Sequence, residues 1–216
     1  MILYILLAVF AYLVGSIPSA LIVGMNFNNG IDIRERGSGN LGTTNASRHL
    51  KKKNTALIAL FDVFIKGVLV VVVANYFLKS NGSDVPGLLF GFISIIGHNF
   101  PIFAGFRGGK GMATTIGLAF AHGFLIGLGV CGLFILIMGI TGYVALTSML
   151  TTAIISALAI IYLDYPVYLE VIIASFAMVM VYQHRANIKR MLNKEEPRVN
   201  VMNFFKWMGT MLFTNK

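Results

Sequence analysis

The chain has 216 residues, 57% of them hydrophobic and only 12% charged, with a formal net charge of +9 and a mean hydropathy of +0.81. A soluble domain of this length cannot hide that much apolar surface, so composition excludes one and indicates an all-α, polytopic integral membrane protein. The single cysteine, Cys131, excludes a disulfide within the chain, and its apolar setting argues against a thiol catalyst.

Residues 1–24 read as a first span and not as a signal peptide, because Met-Ile-Leu-Tyr offers no basic leading region. Gly-Ser-Ile-Pro-Ser at 15–19 falls near its far end, where Pro18 opens the helix. Residues 25–54 are polar and carry Arg34, Arg36, Arg48, Lys51, Lys52 and Lys53. A second span over 55–78 contains Asp62 and Lys66, whose i,i+4 spacing lets them share a face and pair. A third span covers 86–104 and ends in His98, Asn99 and Pro101, followed by the glycine-rich loop at 105–114. The remaining apolar tract breaks at His122-Gly123, at 139–143 and at 164–166, which gives segments over 111–121, 123–140, 143–163 and 166–183. From His184 onward the tail is basic. Residues 201–213, around Trp207, are too short to span and predict an interfacial helix.

Charge sets the topology. The 25–54 loop, the 105–114 loop and the tail hold 15 of the 17 Lys and Arg residues. By the positive-inside rule all three face the cytoplasm, which predicts seven transmembrane helices, an external N-terminus and a cytoplasmic C-terminus; five spans is the alternative. Placed this way, the net charge speaks for anionic lipid headgroups and not for nucleic acid. One membrane domain over 1–199 is expected, with a C-terminal interfacial extension over 200–216.

Three polar clusters stand where the spans meet the cytoplasm. Gly-Phe-Arg-Gly-Gly-Lys-Gly-Met-Ala-Thr at 105–114 combines close backbone approach, the Lys110 charge and a helix start, all suited to phosphate. It fails the Walker A pattern, since Gly111 follows Lys110 where Ser or Thr is required, so an ATPase is not indicated. Gly-Ser-Gly-Asn-Leu-Gly at 37–42 formally matches a dinucleotide fingerprint, but no apolar strand precedes it. Its physical content is a set of neutral hydrogen-bonding groups (Ser38, Asn40, Thr43, Thr44, Asn45) with Arg48 able to grip an anion by two N–H bonds. The third cluster places His184, Asn187 and Arg190 three apart, close to one face if the last helix continues past the membrane. The acids Asp32, Glu35, Glu195 and Glu196 flank these clusters instead of joining them. No Cys pair, His-x-x-x-His or carboxylate cluster is present, so no metal is expected, and His-x-x-x-x-Asp is absent. The chemistry on offer is cationic and hydrogen-bonding. An enzyme acting on phosphorylated substrates ranks ahead of a transporter of a phosphorylated solute, because transporters hold their sites near the midplane, usually between repeats, and no repeat is visible.

Five motifs in order, Gly-Ser-Ile-Pro at 15–18, Gly-Ser-Gly-Asn-Leu-Gly-Thr-Thr-Asn at 37–45, Gly-His-Asn-Phe-Pro at 97–101, Gly-Gly-Lys-Gly at 108–111 and His-Arg-Ala-Asn-Ile at 184–188, resemble the bacterial acyl-phosphate:glycerol-3-phosphate acyltransferases of the PlsY type. The resemblance runs from residue 1 to about 199. It implies seven spans with a cytoplasmic active site in the bacterial cell membrane. It also implies transfer of a fatty acyl group from acyl phosphate to the 1-hydroxyl of glycerol 3-phosphate, yielding lysophosphatidic acid and phosphate without cofactor. By motif position it implies Ser38, Lys110, His184 and Asn187 as catalytic residues. As substrate-binding residues it implies Arg48, Gly39, Asn40, Thr44, Asn45, His98, Gly108, Gly109, Gly111, Thr114 and Ser148. The expected partners are the two substrates and membrane lipid, with the acyl-phosphate-forming enzyme a candidate contact. Where the family often has His-Arg-Glu-Asn, this chain has Ala186.

Overall fold

The computed structural model describes residues 1–199, and among them every regular element is helical. The expected interfacial helix at 201–213 lies outside the described residues.

Helix α1 (Ile2–Ser16) stops because Pro18 disfavours a helical residue before it, and Ile17 is extended at φ −60° and ψ 116°. Helix α2 (Ser19–Phe27) resumes at once, and the two together form an apolar stretch of 26 residues. After a one-turn 3-10 helix (Ile33–Glu35) and α3 (Thr43–His49), a continuous 29-residue rod runs from Lys52 to Ser80. It consists of α4 (Lys52–Leu60), a π-helical centre (Phe61–Leu69) and α5 (Val70–Ser80). Helix α6 (Leu88–Asn99) follows Pro86 and leads into a 3-10 turn (Ile102–Ala104). Helix α7 (Met112–His122) starts directly after the glycine-rich loop and has 11 residues. At ~1.5 Å per residue it covers roughly half of a ~30 Å hydrocarbon core. Then come α8 (Phe124–Thr141), α9 (Val144–Tyr162), α10 (Val167–Gln183) and α11 (Arg185–Leu192).

These elements match the expected segments in place and order. Ile2–Phe27, Lys52–Ser80, Phe124–Thr141 and Val144–Tyr162 are long and apolar enough to cross a membrane alone, and the α10–α11 pair makes up to five. Large apolar side chains such as Leu57, Phe64, Val72 and Leu128 are exposed along them. In lipid, unlike in water, such a face needs no cover. The protein is therefore an integral, multi-pass membrane protein. Helix does continue past the last span, as α11, but α10 and α11 are bent by 51° at His184. His184 carries φ −95° and ψ 7°, and the turn tightens there.

The chain divides into two compact units, 1–129 and from Val130 onward. In the first, helices meet through glycine. A Cβ on Gly15 would run into the Ser94 carbonyl and one on Gly97 into the Tyr12 carbonyl, so α1 and α6 cross backbone to backbone. Likewise Gly67 of the π segment lies so close to α7 that an added Cβ would stand 2.6 Å from Gly117 Cα and 2.8 Å from the Thr114 oxygen. A second cluster, Ala20, Val23, Ile33, Leu41, Ala46, Leu50, Ile58 and Ala104, sits beneath the polar 25–54 segment. Its apolar residues tack that segment onto α2 and α4, which is why it is a structured platform and not a tether. In the second unit α9 packs against α10 and α11.

Candidate active site

The first loop is shaped by two left-handed glycines, Gly37 at φ +54° and Gly39 at φ +67°. Between them Ser38 is exposed. Asn45, buried on α3, stitches the loop from beneath. Its Nδ2 lies 3.2, 2.9 and 3.1 Å from the carbonyls of Ile33, Arg36 and Asn40, and its Oδ1 accepts from the Ser38 amide at 3.1 Å. Asn45 thus spends its hydrogen-bonding capacity on the loop itself. Arg48 and Thr44 are exposed on the same short helix. Arg34 instead grips Asp32 at 2.6 Å, and these hydrogen bonds hold the Asp32 carboxyl below its usual value.

The second loop is joined to the first. Asn40 Nδ2 donates to the Gly108 carbonyl at 2.9 Å while its Oδ1 accepts from the Gly42 amide at 2.8 Å, and the Leu41 amide reaches the same Gly108 carbonyl at 3.3 Å. Two stretches nearly seventy residues apart in sequence therefore form one glycine-lined surface. Lys110 is half-buried beside it. Gly111, at φ +87°, turns the chain into α7, and Thr115 binds its carbonyl through Oγ1 at 2.9 Å. The N-terminus of α7 thereby opens at the loop, with its amides and partial positive charge. Thr114 is fully buried and lies where α7 meets the π segment. His98 is also buried. Its carbonyl accepts from the Gly109 amide at 3.0 Å and its Nδ1 lies 3.1 Å from Lys66 Nζ.

In the second unit His184 forms the elbow between α10 and α11. Its Nδ1 lies 2.9 Å from the Met180 carbonyl, which can only accept, so the neutral ring carries its proton on Nδ1. Ser148, buried on α9, returns its hydroxyl to the Val144 carbonyl at 2.9 Å. Asn187 Nδ2 donates to Glu196 Oε1 at 2.7 Å, and Arg190 Nε donates to Glu196 Oε2 at 2.7 Å. Glu196 is 8% exposed. The expectation that the acids only flank the motifs is therefore wrong for Glu196, which joins the third cluster by folding back from beyond α11. Its signal in sequence was the i,i+6 and i,i+9 spacing to Arg190 and Asn187, which no helical period reveals. Glu196→Ala is expected to cost about 2 kcal/mol, mostly from losing the charge-assisted hydrogen bond to buried Asn187, because Arg190 is too exposed to contribute much. Thermal unfolding in detergent checks this. Glu196→Gln, which keeps an acceptor for Asn187, is expected to lose less.

With this geometry in hand, similarity to known proteins is extensive. A sequence model of the family described as Glycerol-3-phosphate acyltransferase matches residues 5–194. The glycerol-3-phosphate acyltransferase of Bacillus subtilis (strain 168) is 41% identical over 203 residues, covering 94% of this chain and 98% of that protein. That of Listeria welshimeri is 41% identical over 204 residues, again covering 94% and 98%. The crystal structure of PlsY (YgiH), an integral membrane glycerol 3-phosphate acyltransferase in its glycerol 3-phosphate form, superposes with a TM-score of 0.80 at 34% identity, covering 97% of this chain and 98% of that one. Its lysophosphatidic acid form gives a TM-score of 0.78. The chain belongs to the PlsY-type glycerol-3-phosphate acyltransferase family.

Proposed function

We propose that the protein transfers a fatty acyl group from acyl phosphate to the 1-hydroxyl of glycerol 3-phosphate, giving lysophosphatidic acid and inorganic phosphate. The hydroxyl oxygen attacks the acyl carbon, the bond from that carbon to the phosphate oxygen breaks, and the hydroxyl proton leaves with a base. An acyl phosphate is already activated, so no nucleotide is required. The observation that carries this reading is the joining of two glycine-rich loops through Asn40 and Gly108, beside Lys110, in a chain of this family. Both substrates bear phosphate, and such a surface offers amides, a helix N-terminus and cations to hold it.

In this scheme Lys110 and Arg48 clamp phosphate, and exposed Ser38 with the loop amides polarises the acyl carbonyl. Gly39, Gly108, Gly109 and Gly111 let backbone approach the anion, while Asn40, Asn45 and Thr114 hold the loops in place, with Thr44 and Ser148 as further contacts. His184, with its proton fixed on Nδ1, presents Nε2 as a proton acceptor, and substrate phosphate is the alternative base. Asn187 is held by Glu196 for its own contact. Seven crossings with an external N-terminus put these motifs on the cytoplasmic face of the bacterial cell membrane, supported by the gathering of 15 of 17 cations in the three regions.

The test is phosphate release by purified protein in detergent from palmitoyl phosphate, with and without glycerol 3-phosphate. Release that requires glycerol 3-phosphate and is matched by lysophosphatidic acid supports the reaction. Folded protein that releases nothing, yet carries labelled glycerol 3-phosphate into liposomes, would be a transporter.

A further inference from the structure

Behind the glycine-rich surface lies a charged cluster that the scheme above does not use. Asp62 and Lys66, both on the π segment, are 0% and 2% exposed. Asp62 Oδ1 accepts from Lys66 Nζ at 2.9 Å and from Ser19 Oγ at 2.8 Å. The wide π turn keeps both side chains facing inward, and Gly67 beside them pins this segment to α7. Lys66 Nζ also lies 3.1 Å from His98 Nδ1, whereas that nitrogen is 3.8 Å from Asp62.

An ammonium has donors only, so His98 Nδ1 must accept. The His98 ring is then neutral with its proton on Nε2. That edge lies against the second loop: a Cβ added at Gly109 would overlap His98 Nε2, and both line a small cavity with Ser19, Leu41, Lys66 and Pro101. Without the ammonium, either ring nitrogen is free to carry the proton, and half of those states turn a lone pair towards the loop that is to hold an anion.

We propose that Lys66, held by Asp62, is a positioning residue for the acyl transfer: its contact with His98 Nδ1 fixes the ring so that an Nε2–H donor faces the phosphate loop at Gly109. The inference rests on the acyltransferase reading for its kinetic consequence, and on the geometry alone for the tautomer. Lys66 acts through His98 and touches no substrate.

The experiment uses full-length protein labelled with ¹⁵N-histidine in detergent, with the His98 resonances assigned by their loss in His98→Gln. The wild type is expected to show His98 as the Nε2–H tautomer, with its Nε2 signal moving as inorganic phosphate is titrated in. The double variant Asp62→Asn/Lys66→Met removes both charges, so no stranded carboxylate confounds the fold. It is expected to show mixed tautomers and a KM for a phosphate-bearing substrate raised about tenfold, with kcat within about threefold of wild type. Lys66→Arg, which keeps a cationic donor, is expected to restore the single tautomer. An Nδ1–H tautomer in wild type, a phosphate-insensitive Nε2 signal, or an unchanged KM in a folded double variant would overturn the proposal. If the double variant does not fold, the wild-type tautomer and phosphate titration still decide it. Failure of the wild type to turn over glycerol 3-phosphate sinks the enzymatic reading separately, since neither NMR measurement depends on turnover.

Discussion

Lys110→Met is expected to lower kcat/KM for acyl transfer by roughly 10²–10³, the range seen when one preorganised group facing developing charge is removed. The substitution keeps most of the side chain's length and apolar stem and deletes only the ammonium. Gly109 and Gly111 on either side are both buried, so the loop backbone is held by its neighbours and not by Lys110 alone. A folded variant with normal thermal unfolding and strongly reduced turnover is the predicted result, measured by phosphate release dependent on glycerol 3-phosphate. Lys110→Arg is expected to recover little, because a planar guanidinium fork does not place its charge where a compact ammonium does. Near-normal turnover by Lys110→Met would remove the lysine from the scheme.

Gly109→Ala is expected to reduce turnover by about 10²-fold, comparable to the effect of misplacing reacting groups by about 1 Å. The new methyl would fall on the His98 ring, whose other edge is held by Lys66, itself paired with Asp62. The loop must move instead, and it carries Lys110 and the Gly108 carbonyl that Asn40 grips. Overpacking of this kind costs about 1–3 kcal/mol. The melting temperature is therefore expected to fall by a few degrees while the kinetic loss is larger than that fall explains. Gly129→Ala, where an added Cβ meets nothing within 4 Å, is the control and is expected to behave as wild type. Equal activity in the two variants would mean that the loop tolerates displacement.

The helical segments were legible because membrane burial writes itself into composition. Runs such as Phe-Leu-Ile-Gly-Leu at 124–128 have few other places to go, and Pro18 and Gly142 mark where the backbone must break. The Asp62–Lys66 pair was legible for a similar reason: two charges in an apolar helix, four apart, have little choice of partner. The glycine loops announced themselves through residue type, since Gly37, Gly39 and Gly111 all adopt positive φ. The 51° elbow at His184 was not legible, because Gln-His-Arg-Ala contains neither proline nor glycine to mark a bend.

The amino-acid sequence by itself determined the class of the molecule, the order of its helices, the gathering of cations in three regions and the family to which the chain belongs. These properties are local or additive: hydropathy, charge and motif spacing are summed along the chain and need no partner to be read. Tertiary structure alone decided which motif residues face outward and which hold the others in place. It turned Asn45 inward to three carbonyls, spent Asn40 on Gly108, set His98 against Lys66 and brought Glu196 back to Asn187 and Arg190. The Asn40–Gly108 and Lys66–His98 bonds join residues far apart in sequence and so depend on the paths of whole helices, which pack closely at Gly15, Gly67, Gly97 and Gly117, where the absence of a side chain lets two backbones touch.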